Sequence, residues 1–549
     1  MRLTELLFQD TRTSIKRLGL MAVIAGGASA GILAIVNAAA QVAGDSSGHA
    51  QYVAFFGIAL IAYVFSQRYV LTVTTDEVER IVDGRRRGLI RKLAACELQG
   101  VEKIGHGVIF TAINSDAQTI SQTAGSLILG VQALILMFWT AIYLATLSLP
   151  TLALVAVVLL IASRIYNRKI ERARTELRRA HHEVTALHEV VEGLLGGFKE
   201  VKLSSRRASE LLQDAMLVSE RTALYRSLAQ RALAANFIFS QVAIFVLLGT
   251  LVFVLPVIST TFADTTVKAL AAVLFLIGPI SGIISSVPQI TVANAAAENL
   301  LRLEQLLDEH VEAGRRTPDG EIAAPGDMQT SSDFKVIELR QLRFSRGQGS
   351  ERFSVGPIDL TIREGETIFI TGGNGSGKTT FVKMLTGLYP ADSGEILIDG
   401  MVVGKLDMQR YRDMFGAVFS DFHLFSKLYG VDDVDQARGA GLIDEMEIEN
   451  KVVLEGRRFS TVDLSTGQRK RLALVAVQLE ERPIIILDEW AADQDPHFRA
   501  KFYETLLPSL KAAGATVIAI THDDKYFHHA DRRLHMADGR ITEMSMETA

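Results

Sequence analysis

Residues 372 to 380 read Gly372-Gly373-Asn374-Gly375-Ser376-Gly377-Lys378-Thr379-Thr380, small residues closed by a lysine and two hydroxyls. Glycines let backbone N–H groups approach an anion closely, and the start of the helix-forming stretch 381–388 favours negative charge. Lys378 would reach the β- and γ-phosphates of a nucleoside triphosphate, and the Thr379 hydroxyl would ligate Mg2+. The preceding Ile368-Phe369-Ile370-Thr371 reads as a buried strand, which completes the strand-loop-helix setting of a P-loop. Farther on, Ile484-Ile485-Ile486-Leu487-Asp488-Glu489 is an apolar strand ending in two acids. With a P-loop as partner these read as a Walker B element rather than a solvated helix cap. Asp488 would hold Mg2+ through water, and Glu489 would polarise the attacking water as general base.

Between the two lies Leu464-Ser465-Thr466-Gly467-Gln468, ahead of the helix-favouring stretch 469–479. Ser465 alone could be an ordinary N-cap. Placed just before a Walker B strand, the pentapeptide resembles the signature element of an ATP-binding cassette, Leu-Ser-Gly-Gly-Gln, with Thr466 at the third position. The resemblance continues through Asp495, at the D-loop position in Ala492-Asp493-Gln494-Asp495, and His522, at the H-loop position in Ile520-Thr521-His522-Asp523. It implies ATP and Mg2+ as cofactors. It makes Glu489 and His522 catalytic, with His522 expected at the γ-phosphate, and the P-loop, the signature element and Asp495 nucleotide-binding.

Two positions depart from the family pattern. Most cassettes place Gln where Ser420 stands in Val418-Phe419-Ser420-Asp421-Phe422-His423-Leu424-Phe425, to ligate Mg2+ and report nucleotide to the membrane helices. A serine hydroxyl has less reach and would usually need a bridging water, so the adjacent Asp421 is expected to supply the metal contact. The adenine-stacking aromatic falls on Arg346, after Phe344; a guanidinium plane can stack on a base, and Phe353 is a second candidate.

These motifs occupy the second half of a 549-residue chain, longer than one hydrophobic core usually serves. Apolar residues at 48%, charged residues at 22% and a mean hydropathy of +0.23 exclude a disordered chain and place part of it in lipid. A net charge of −5 gives no reason to expect a nucleic-acid partner. The single Cys96 excludes an internal disulfide or a Cys-rich metal site and suits a cytosol-facing context. The pairs His181-His182 and His528-His529 read as solvated surface, since consecutive helix residues point about 100° apart.

Six apolar runs, 18–42, 52–75, 125–147, 151–165, 232–258 and 269–289, are near the length a spanning helix needs, and the first lacks a signal-peptide cleavage site. Arg2, Arg12, Lys16 and Arg17 precede the first run, seven Lys or Arg lie from Arg80 to Lys103 and seven from Arg164 to Arg179, whereas the opposite loops hold only Lys268. Both termini are therefore expected to be cytoplasmic. The two cytoplasmic connections read as charged amphipathic helix that continues the spans. The runs hold Asn37, Gln41, Gln132, Asn236 and Gln241 but no carboxylate, which disfavours a proton relay; the amides either line a substrate cavity or join helices. Arg68, toward the cytoplasmic end of the second run, can snorkel.

After Leu307 the chain turns polar, with Pro318, Gly320, Pro325, Gly326 and Thr330-Ser331-Ser332, and short β-rich runs then alternate with helical patterns. The expected domains are a six-helix membrane domain over 1–312, a linker over 313–333, and an α/β P-loop NTPase cassette over 334–549 with a largely parallel sheet. This layout resembles a half-transporter of the ABC exporter kind along nearly the whole chain. Glu192-Gly193-Leu194-Leu195-Gly196-Gly197-Phe198-Lys199-Glu200 looks like the second cytoplasmic loop that docks on the cassette in such exporters. Val355-Gly356-Pro357-Ile358-Asp359-Leu360, Ser420-Asp421, Asp488-Glu489-Trp490-Ala491-Ala492-Asp493-Gln494-Asp495-Pro496 and His522-Asp523-Asp524-Lys525-Tyr526-Phe527 look like bacterial exporters of cyclic peptides, including pyoverdine-type siderophore precursors and microcin-like peptides. The resemblance implies a homodimer in the bacterial inner membrane, with ATP between the P-loop of one chain and the signature of the other, exporting a peptide-like substrate. A lipid or drug flippase is the alternative within transport. A nucleotide-gated channel or regulator with an idle cassette is the alternative outside it, against which Glu489 and His522 speak.

Overall fold

The computed structural model of the chain describes residues 3, 5–6, 15–41, 49–255, 263–311, 334–346, 353–431 and 433–544. The expected linker 313–333, residue 42 of the first run and residues 256–258 of the fifth lie outside the described residues, as do the side chains of Gln41, His181 and His182. Contacts group the chain into two units, Met1–Leu89 with Gly107–Gln305, and Ile90–His106 with Leu306–Ala549.

Runs of Leu, Ala, Ile and Val in an apolar setting must satisfy their backbone groups internally, and in the first half they do so as helix. The helices are α1 (Ile15–Gln41), α2 (His49–Ala94), α3 (Leu98–Ile104), α4 (His106–Leu147), α5 (Leu149–Gly196), α6 (Phe198–Leu203), α7 (Ser205–Phe253) and α8 (Ala263–Glu309). All except α3 and α6 hold a stretch long and apolar enough to cross a membrane, which makes six candidate spans. The 48 residues of α5 extend about 70 Å at the ordinary helical rise, against a bilayer core of about 30 Å. Its charged half therefore runs on as helix beyond the apolar stretch. Ser148 and Ser204 cap α5 and α7 by accepting from the N–H groups of Thr151 and Arg207.

Within the first unit, Phe65, Phe138, Leu160 and Phe245 face outward, the arrangement a bilayer favours and water does not. Several hydroxyls in the spans return to their own helix: Thr74 donates to the Val70 carbonyl and Thr140 to that of Leu136, whereas Ser126 donates to Gln289 Oε1 and joins α4 to α8. Asn37 Nδ2 donates to the Tyr143 hydroxyl at 3.0 Å, joining α1 to α4, and Gln67 Nε2 to Gln132 Oε1 at 3.1 Å, joining α2 to α4.

The second unit is built on a six-stranded sheet in the order β12-β11-β3-β10-β9-β6. Its strands are β3 (Thr367–Thr371), β6 (Phe415–Val418), β9 (Ile484–Asp488), β10 (Thr516–Ile520), β11 (Arg532–Ala537) and β12 (Arg540–Met544), parallel except for the β11–β12 hairpin. Every residue of β3, β9 and β10 is buried, as parallel strands covered on both faces require. An antiparallel sheet joins β1 (Val336–Arg346), β2 (Phe353–Arg363), β4 (Ser393–Ile398) and β5 (Met401–Val402) in the order β2-β1-β4-β5, and β7 (Leu454–Glu455) pairs with β8 (Arg458–Phe459) as a separate hairpin. Because β10 lies between β3 and β9, the loops after all three strands leave the same edge of the sheet. That edge is where open α/β sheets bind ligands.

The short helix α3 belongs to this unit. Glu97, which precedes it, donates its N–H to the His310 carbonyl, and Lys92 pairs with Asp308 at 2.7 Å.

Candidate functional site

The first loop at the sheet edge is the P-loop between β3 and α9 (Lys378–Leu385), which α10 (Met408–Arg412) and α11 (Gln436–Glu445) follow along the chain. It needs glycine for physical reasons at two points. A Cβ on Gly372, whose φ is 143°, would stand 2.1 Å from the Met536 carbonyl oxygen, and one on Gly377, whose φ is 105°, 3.0 Å from Met536 and Phe353. Lys378 is buried and its Nζ donates to the carbonyls of Gly372 and Gly373 at 2.9 and 3.0 Å, so the loop curls around its own lysine. The Gly539 N–H, in the β11–β12 turn, donates to the Ser376 carbonyl and supports the loop from behind. Asn374 and Gly375 are exposed, and Thr380 lies in the first turn of α9 beside Thr379.

Asp488, at the end of β9, is 1% exposed. Its Oδ2 accepts from the hydroxyls of Thr379 and Ser420, each at 3.2 Å, and its Oδ1 has no partner among the described residues. Burial pushes its carboxyl above the usual range, against the opposing effect of the Ser420 and Thr379 hydrogen bonds. A buried carboxylate with one bare oxygen, bracketed by two hydroxyls beside a P-loop, is a donor set that fits Mg2+. Of the two residues named at the missing glutamine, Ser420 is the one whose hydroxyl reaches Asp488. Asp421 is exposed one residue later.

Glu489 stands in the left-handed region, with φ 50° and ψ 37°, a conformation that non-glycine residues adopt only where the surroundings hold it. Its N–H donates to the Ile520 carbonyl at 3.1 Å, and its carbonyl accepts from Lys470 Nζ at 2.7 Å. Its Oε1 lies 3.5 Å from Nε2 of His522, which follows β10. The structure thus brings the two expected catalytic side chains together.

Leu464 packs on the core and Thr466 opens α12 (Thr466–Leu479). Ser465 is indeed the N-cap of α12, with Gln468 completing a capping box. This local role coexists with the signature position. The helix is wired to the loop after Glu489: Gln494 Nε2 donates to the Gly467 carbonyl, Arg471 donates to Gln494 Oε1 and to Asp495 Oδ2, both at 2.8 Å, and Lys470 pairs with Asp493 at 2.8 Å. Trp490, fully buried, donates Nε1 to the Lys470 carbonyl. Asp495 caps α13 (Pro496–Lys501), and its bond from the Phe498 N–H, aided by Arg471, holds its carboxyl below the usual range.

At the expected base-stacking position the geometry divides the two candidates. Phe353 lies against the P-loop at Gly377. Arg346 turns to Glu102 of α3 at 3.3 Å and to the Tyr389 hydroxyl at 3.4 Å. That hydroxyl donates to Glu102, and Lys383 of α9 stands 3.5 Å from the same carboxylate. Burial, and then the bond to Glu102, raises the Tyr389 phenol above its ordinary value. Glu102, Tyr389, Lys470 and Arg471 carried no local signal in the sequence. Trp490 and Gln494 did sit within a motif, and their buried polar ends show what they do there. The rings of His528 and His529 lie 4.2 Å apart, tilted by 39°, and no group of three or more metal-binding side chains occurs among the described residues.

Residues 355–492 match the protein family described as ABC transporter. Along 93% of its length the chain is 35% identical to the ATP-binding protein SyrD of Pseudomonas syringae pv. syringae, covering 91% of that protein. The chain belongs to the ABC transporter family. It is also 26% identical to the ATP-dependent lipid A-core flippase of Burkholderia orbicola, over 89% of this chain and 82% of that one. A bacterial Atm1-family ABC exporter with ATP bound shares the fold, with a TM-score of 0.74 over 96% of this chain and 94% of the other at 16% identity. The chain is an ABC exporter half-transporter, a multi-pass membrane protein whose ATP-binding domain hydrolyses ATP to drive transport.

Proposed function

We propose that two copies of this chain form a homodimer in the bacterial inner membrane, termini in the cytoplasm, and export a peptide-like substrate: a cyclic peptide, a siderophore precursor or a microcin-like peptide. The membrane domain is 1–312, the linker 313–333 and the cassette 334–549. ATP lies between the P-loop of one chain and residues 464–468 of the other. Lys378 and the P-loop amides hold its phosphates, Asp495 lies beside the shared site, and Phe353 or Arg346 takes the base. Thr379, Asp488 and Ser420, with Asp421 nearby, are the residues to hold Mg2+, which when bound neutralises phosphate charge. Glu489 takes the proton of the attacking water while His522 stands at the γ-phosphate. ATP closes the cassettes, and hydrolysis resets the inward-facing state.

The observation that carries the peptide reading is the likeness of the branch segments, above all the run from Asp488 to Pro496, to exporters of cyclic peptides. The sequence carries the tryptophan of that run, and the fold buries it against α12. The lipid A-core flippase relatives favour a second reading, a lipid flippase. Inside-out proteoliposomes containing the purified chain separate the two. ATP-dependent uptake of a labelled cyclic peptide, without ATP-dependent movement of a labelled lipid A, is the expected result. Lipid movement without peptide uptake would replace the first reading by the second.

A further inference from the structure

His522 is half-exposed beside Glu489, while the residues before and after it are held from the core side by one buried phenol. That phenol is Tyr503, 1% exposed, in the turn Phe502–Leu506 where the helix begun by α13 widens to π geometry. Such widened turns are rare inside helices and frequent at functional sites. The Tyr503 ring packs among Phe369 of β3, Phe502 and Tyr526, the last stacked on it at 4.5 Å. Its hydroxyl therefore has one fixed place. Oη lies 2.6 Å from Thr521 Oγ1 and 2.9 Å from Asp523 Oδ2. A carboxylate only accepts, so Tyr503 donates its one hydrogen to Asp523, and Thr521 must donate to Tyr503. The Asp523 N–H in turn donates to Thr521 Oγ1 at 3.1 Å. These bonds close a ring in which every direction is determined, and His522 is the residue it straddles. Burial raises the Tyr503 phenol above its ordinary value, so the proton that orders the ring stays in place at neutral pH.

The ring is anchored on both sides of the site. The Thr521 N–H donates to the Ile370 carbonyl of β3, the strand that leads into the P-loop. Arg499 donates from Nη1 to Asp523 Oδ1 at 3.4 Å and from Nη2 to the carbonyls of Ala492 and Gln494 at 3.1 and 3.2 Å, in the loop after Glu489. A histidine on an unpinned loop would have to be ordered as the transition state forms, whereas this one is ordered beforehand. We propose that Tyr503 is a positioning residue for hydrolysis: its hydroxyl holds the 521–523 segment so that His522 meets the γ-phosphate without reorganisation. The P-loop, not this segment, holds the nucleotide in the ground state, so the effect falls on kcat rather than on KM. The assignment rests on the reading of His522 given above.

The test measures ATPase of the full chain in proteoliposomes, with single-turnover hydrolysis of radiolabelled ATP for the slow variants. Tyr503→Phe, which removes only the hydroxyl, should lower kcat about tenfold, the effect of one hydrogen bond, and leave KM for ATP within about twofold. Thr521→Val, which breaks the same ring with little change of shape, should do likewise. Tyr526→Phe, which keeps its ring on Tyr503, should turn over at the wild-type rate. The deciding measurement repeats Tyr503→Phe and Thr521→Val in a His522→Ala background, where neither should slow hydrolysis further because the residue they position is gone. Equal fold losses with and without His522 would make Tyr503 a packing residue and overturn the proposal. Wild-type kcat in both single variants, or a matching loss in Tyr526→Phe, would overturn it too, with the reading of His522 intact. If His522→Ala alone turns over at the wild-type rate, that reading falls and this inference with it.

Discussion

Glu489 occupies a backbone conformation that costs about 1–3 kcal/mol for a side chain with a Cβ, and two backbone hydrogen bonds hold it there. Glu489→Gln keeps size and hydrogen bonding but removes the base. ATP should still bind, and steady-state hydrolysis should fall about a hundredfold or more. Near wild-type turnover by the purified variant would defeat the assignment. The contact between Ser420 and Asp488 leads to a second expectation: Ser420→Ala should lower ATPase more than Asp421→Ala and raise the Mg2+ concentration needed for half-maximal rate. Equal rates with unchanged Mg2+ dependence would remove both residues from the metal site. A third expectation follows from the raised pKa of Asp488. Between the ordinary carboxylate pKa and the raised folded value, the folded state binds the extra proton, so stability falls as pH climbs through that window, and the full cost of the buried charge is present above it. Without nucleotide, Asp488→Asn should therefore melt higher than wild type at neutral pH and no longer gain stability from Mg2+. A lower melting temperature would contradict this account.

The connection between α12 and the loop after β9 is an element-scale device, and Arg471 is its centre. The residue is 9% exposed, bonds Gln494 and Asp495, and stacks its guanidinium over Phe498 at 3.5 Å. Arg471→Ala should lower stability by about 2 kcal/mol, and Arg471→Lys should recover little, because an ammonium cannot serve both acceptors in one plane. Thermal unfolding of the full chain with each substitution checks both statements; full recovery by lysine would reduce the interaction to charge alone. These contacts also mark the limit of reading the sequence. Strand, glycine loop and acid pair were legible because local spacing creates them, and six apolar runs were legible because lipid imposes their composition. Tyr389 and Glu102 are 287 residues apart, and their hydrogen bond depends on chain paths that no local pattern encodes. Ser420 is similar: its reach looked too short from side-chain length alone, but β6 and β9 are paired neighbours, which brings its hydroxyl to Asp488.

At the scale of the whole molecule, one chain holds one P-loop and one signature element. Linked dimers test the cross-chain site. With Lys378→Ala in one chain and Gly467→Asp in the other, one site loses both elements and the second stays intact, so trapped nucleotide should be about half that of wild type. With both substitutions in the same chain, each site is damaged once, and trapping should fall to background. Identical trapping by the two arrangements would remove support for shared sites.

The position of β11 has a consequence for how the protein is made. This late strand pairs with β3, and the turn after it braces Ser376, so part of the support of the nucleotide loop comes from residues late in the cassette. The ribosome releases those residues after all six apolar helices have been available to the membrane. A message cut shortly before codon 532 would thus yield a chain that inserts normally yet exposes the unpaired edge of β3 beside an unsupported phosphate loop. Such a product should bind no ATP, because β3 and the loop after it would lack the support of β11 and its turn.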